Sequence, residues 1–60
     1  MTFTLTINTD NAAFGDGDDH ERDTEIARIL REVATKLERD FGGRKVYDIN
    51  GNVVGTYGLD

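Results

Sequence analysis

Sixty residues with a formal charge of -5 and no cysteine, serine or proline make one domain near the lower size limit for folding alone. Such a chain buries roughly 60% of the surface it exposes unfolded. Without cysteine there is no disulfide or thiolate zinc site. With serine also absent, Ser-His-Asp and Cys-His machinery is excluded, leaving carboxylates and the lone His20 for any acid–base chemistry.

The charge is unevenly spread. Between Asp10 and Glu25 seven acids face Arg22 alone, a net of -6, while the other five acids nearly cancel six bases. That distribution argues against coating nucleic-acid phosphates with Lys and Arg. No apolar run approaches the ~18 residues of a membrane span, and the N-terminus lacks the form of a signal peptide, so a cytoplasmic protein is expected.

Thr2-Phe-Thr-Leu-Thr-Ile-Asn8 alternates strictly, Phe3, Leu5 and Ile7 on one face and threonines on the other, which predicts a strand with one wet side. Asp10-Asn11 ends it through local side-chain hydrogen bonds. Ala12-Ala-Phe14 tucks Phe14 against the core, and Gly15-Asp-Gly-Asp-Asp19 reads as an exposed acidic loop.

A helix is predicted from about Asp19–Asp23 to Asp40. Ile26, Leu30, Val33, Leu37 and Phe41 follow helical spacing, with Ile29 and Ala34 widening the stripe. Glu25, Arg28, Glu32, Thr35, Lys36 and Arg39 fall on the opposite side, with Arg28/Glu32, Glu32/Lys36 and Lys36/Asp40 as i,i+4 pairs. Gly42-Gly43 supplies the C-cap, and Arg44-Lys45 complements the negative helix end.

Asn50-Gly51 between β-rich runs announces a hairpin. A two-residue loop would pair Ile49 with Asn52. A three-residue loop with Gly51 as a bulge would pair Asp48 with Asn52 and Val46 with Val54; Asp48, a good opening residue for a type I turn, favours it. The fold class is therefore α+β: a three-stranded antiparallel sheet (β-α-β-β) with one helix packed on one face, its strand order left open.

The hairpin is apolar on both faces, and one helix can cover only one of them. Contact residues are accordingly expected at Val46, Tyr47, Val53 and Tyr57, toward a protein partner or a second copy of the chain, with Asp16, Asp18 and Asp19 as a charge-steered second surface. The leading expectation is a non-enzymatic binding module without a cofactor. Two others belong to different classes. Asp16, Asp18, Asp19, His20 and Asp23 could gather round a divalent cation, although the spacing fails the EF-hand pattern. The acidic loop could also imitate nucleic-acid phosphates.

Thr9-Asp-Asn-Ala-Ala-Phe14, Glu25-Ile-Ala-Arg-Ile-Leu-Arg31 and Asp48-Ile-Asn-Gly-Asn-Val-Val-Gly55 resemble a group of small uncharacterised phage and prophage proteins. These motifs are a strand exit, a core helix face and a hairpin turn. The resemblance therefore implies a shared fold and a host-directed binding role, such as inhibition of a defence system, and carries over no catalytic residue. Gly15–Asp19 is longer and more acidic than the loop of that group.

Overall fold

The computed structural model describes residues 1–15, 17–39 and 44–60. In chain order these form strand β1 (Phe3–Ile7), a 3-10 turn (Ala12–Phe14), helix α1 (Asp19–Arg39) and strands β2 (Lys45–Tyr47) and β3 (Val53–Leu59). The sheet is antiparallel in the order β1-β3-β2. The longest strand takes the centre, where partners satisfy both of its edges. No helix among the described residues is long and apolar enough to cross a membrane.

Helix α1 starts where its first turn is best satisfied. The Asp18 carboxylate accepts the His20 N–H at 2.9 Å, and the Asp18 carbonyl accepts the Arg22 N–H at 3.1 Å. Asp19 and Glu21 then oppose the positive end of the helix. The expected helix end at Asp40, the core placement of Phe41 and the Gly42-Gly43 cap lie outside the described residues.

The hairpin adopts the three-residue loop. Asp48 donates its N–H to the Asn52 carbonyl at 2.9 Å, Gly51 donates to the Asp48 carbonyl at 3.0 Å, and Gly51 has φ +85°. That left-handed conformation suits glycine. The strand register then departs from expectation. Tyr47 pairs with Val53 and Val46 with Gly55, leaving Val54 as an extra residue in β3.

This second bulge explains how a hairpin with apolar residues at both parities fills one core. Val54 and Tyr57, three apart, would face opposite sides of a regular strand; the extra residue brings both inward. They join Val46, Phe14, Ile29 and Val33 in the buried cluster, with Leu5, Ile7, Ala13 and Ile26 packed against it. Gly55 makes the bulge feasible, since a Cβ there would overlap the Thr6 carbonyl oxygen of β1.

Two expectations are corrected here. Val46 (2% exposed) and Tyr57 (6%) belong to the protein's own core and not to a contact surface. The face of the sheet away from the helix carries Thr4, Thr6, Thr56 and Lys45, and alternation along β2 sets the exposed pair Tyr47 and Val53 on that side as well, at the hairpin end. The helix is also rotated from its expected setting. Its buried line is Glu25, Ile29 and Val33, whereas Leu30 and Leu37 are about half exposed.

Candidate functional site

The rotation of α1 has a polar cause at the hairpin tip. Glu25, expected outside, is 6% exposed. Its carboxylate accepts Arg28 Nε at 2.6 Å, Arg28 Nη2 at 3.1 Å and the Ile49 backbone N–H at 2.9 Å. Arg28 also donates to Glu32 at 2.9 Å and to the Tyr47 carbonyl at 3.2 Å. One helical turn thereby satisfies two backbone groups of the hairpin that no strand pairs. The hydrogen bond from Arg28 holds the Glu25 carboxyl below its ordinary value, against the opposing effect of burial, and Glu25 in turn raises the Arg28 pKa.

Asp48 organises the other side of the tip. Its Oδ1 accepts the N–H groups of Asn50 and Asn52, each at 2.9 Å, and its Oδ2 accepts the Asn11 amide at 2.7 Å and the Asn52 amide at 3.2 Å. Burial pushes its pKa up, and the bonds from Asn52, Asn11 and Asn50 outweigh that to leave it lowered. Asn11 accepts the Ala13 N–H at 2.9 Å through its own side chain, so the same residue ties the 3-10 turn to the hairpin. Among the described residues no buried side-chain nitrogen or oxygen lacks a hydrogen-bond partner. These shifted carboxylates hold the fold together, their oxygens accepting hydrogen bonds from protein groups.

The acidic loop does not converge. Asp18 caps the helix, while Asp19 and Asp23 each approach Arg22 at 3.1 Å. His20 borders a shallow, open depression with Ala13, Glu21, Thr24, Glu25 and Ile49. Asp16 lies outside the described residues, and among those described no group of three or more His, Cys, Asp or Glu is placed to hold a metal ion. Local charge pairing with Arg22 and the helix cap together account for Asp18, Asp19 and Asp23.

Of the four expected contact residues, Tyr47 and Val53 remain at the surface as a cross-strand pair. The Tyr47 ring is partly occupied, with the Lys36 ammonium 5.3 Å from its centroid. A larger apolar exposure lies elsewhere. Of the three strands, α1 approaches β2 most closely. Arg28 reaches the Tyr47 carbonyl of β2, and Leu30 lies about 200° round the helix from Arg28 at 3.6 residues per turn. Leu30 and Leu37, seven residues apart on one stripe, therefore lie on the side of the helix away from Arg28 and the β2 edge.

On the sheet, Phe3 pairs with Leu59 on the same face as Leu5 and Tyr57. The Phe3 ring centroid is 6.0 Å from that of Tyr57. Phe3, Leu30, Leu37 and Leu59 are 43%, 47%, 48% and 53% exposed, two on the end of the sheet and two on the side of α1 away from Arg28. Periodicity pointed to Phe3, Leu30 and Leu37 as core. The signal that they are surplus was the stripe width: seven apolar positions from Ile26 to Phe41 exceed what a helix settled over two strands can bury.

Comparison with protein-family models, with curated proteins and with solved structures finds no match to this chain.

Proposed function

We propose that this chain is a non-enzymatic contact module that works by docking a protein through an apolar flank made by Phe3, Leu30, Leu37 and Leu59. The observation that carries the reading is the exposure of Phe3, Leu30, Leu37 and Leu59, four large apolar side chains about half open to solvent. Large apolar side chains exposed on a very small protein mark a binding surface. The composition supports it too: without serine or cysteine and with a single, exposed histidine, the chain is poorly equipped for nucleophilic or acid–base chemistry. The acidic residues between Asp10 and Glu25, beyond the hairpin-tip end of β1, would steer approach toward a basic neighbour.

Site-specific photocrosslinking tests this. A photoreactive residue at position 37 should give a discrete crosslinked protein product in cell extract, and one at Thr56 on the sheet face away from the helix should give none. Equal labelling from both positions, or none from position 37, would count against the flank as the working surface.

A further inference from the structure

We infer that the occupant of this flank is a second copy of the chain, joined by antiparallel pairing of the two β1 edges about a two-fold axis at Leu5. The inference rests on the reading of the flank as a contact surface and adds the identity of what covers it.

The first ground is the strand edge. Thr2 and Asp60 exchange both N–H···O bonds at 2.9 Å, so Thr4 and Thr6 also point their backbone groups at β3. The N–H and C=O groups of Phe3, Leu5 and Ile7 therefore point outward from the sheet. Nothing guards this edge: from Thr2 to Thr9 there is no proline, no charged side chain and no bulge. With the axis at Leu5, Phe3 meets Ile7 of the second copy, and the three outward residues exchange six hydrogen bonds. Thr4 meets Thr6 of the second copy on the wet face, a favourable cross-strand pair.

The second ground is electrostatic. A chain of charge -5 repels its copy, and of the two edge strands β1 has no charged side chain. Antiparallel pairing sends the two acidic loops, which follow β1, to opposite ends of the assembly; parallel pairing would set them side by side.

The third ground is size. The four half-exposed side chains and the strand edge offer on the order of 600 Å² per copy, below the ~800 Å² per partner of a standard interface. Association should be reversible, with a Kd of roughly micromolar order.

Sedimentation equilibrium from about 5 to about 500 µM reads the mass across that range. The expected result is a concentration-dependent doubling, abolished in Phe3→Glu and Leu37→Glu but retained in Val53→Glu, which carries the same charge change on the remote hairpin. Amide hydrogen exchange of the unaltered protein gives a second readout that no folding defect can imitate. The Phe3, Leu5 and Ile7 amides should be protected more strongly at high concentration than at low. Monomeric mass throughout, or a dimer that leaves those three amides exchanging freely, overturns the inference. In the first case, a crosslinked product of a different protein from position 37 would still uphold the contact reading; absence of any product would remove both.

Discussion

Replacing Glu25 tests whether a buried carboxylate sets the helix on this sheet. Glu25→Ala deletes two charge-assisted bonds to Arg28 and leaves the Ile49 N–H without its acceptor. Breaking a fully buried ion pair costs about 3–5 kcal/mol. The Arg28 side chain is 30% exposed and can be rehydrated, which places this case at the low end, about 3 kcal/mol. A 60-residue domain has only about 3–9 kcal/mol in total, so the expected fall in Tm is about 12–24 °C at ~4–8 °C per kcal/mol. Glu25→Gln keeps an acceptor for Ile49 and loses the charge, for about 1.5 kcal/mol.

The pH dependence has a defined sign. The folded-state pKa of Glu25 lies below its ordinary 4.5, so its contribution is complete above about 4.5 and disappears as pH falls through the lower folded value. Urea denaturation followed by circular dichroism at pH 7 and at pH 3 should therefore show a larger gap between wild type and Glu25→Gln at the higher pH than at the lower. A Glu25→Ala protein within 0.5 kcal/mol of wild type at pH 7 would refute the clamp.

Gly55→Ala should abolish cooperative folding by thermal melt, because the new methyl meets the Thr6 carbonyl and β1 must separate from β3 to admit it; a normal melt would show that the bulge relaxes cheaply. Ile29→Ala, at the fully buried centre of the core, should cost about 2–5 kcal/mol in chemical denaturation. Asp48→Ala should loosen the hairpin tip and the 3-10 turn together, with amide exchange accelerating at both Asn52 and Ala13; acceleration at Asn52 alone would show that Asn11 does not transmit the effect. Millimolar Ca²⁺, Mg²⁺ or Mn²⁺ should leave Tm unchanged, since Asp18, Asp19 and Asp23 are engaged by the helix cap and Arg22; a rise of several degrees would restore the metal reading.

Local pattern in the sequence determined the elements. Alternation in Phe3–Ile7 produced a strand, 3.6-residue spacing a helix with its cap at Asp18, and Asp48 with Gly51 the three-residue hairpin loop. Each depends on neighbours a few residues apart, which sequence displays directly. Tertiary structure decided what those elements present to the outside. The extra residue at Val54 brought Val54 and Tyr57 to the same core as Val46, leaving Tyr47 and Val53 as the exposed apolar pair of the hairpin. Glu25 took a buried place where two hairpin backbone groups find partners on the helix, and in that setting Leu30 and Leu37 are left half exposed. Hydrogen bonds between residues 19 and 24 positions apart set the exposed surface, and no periodicity in the chain encodes them.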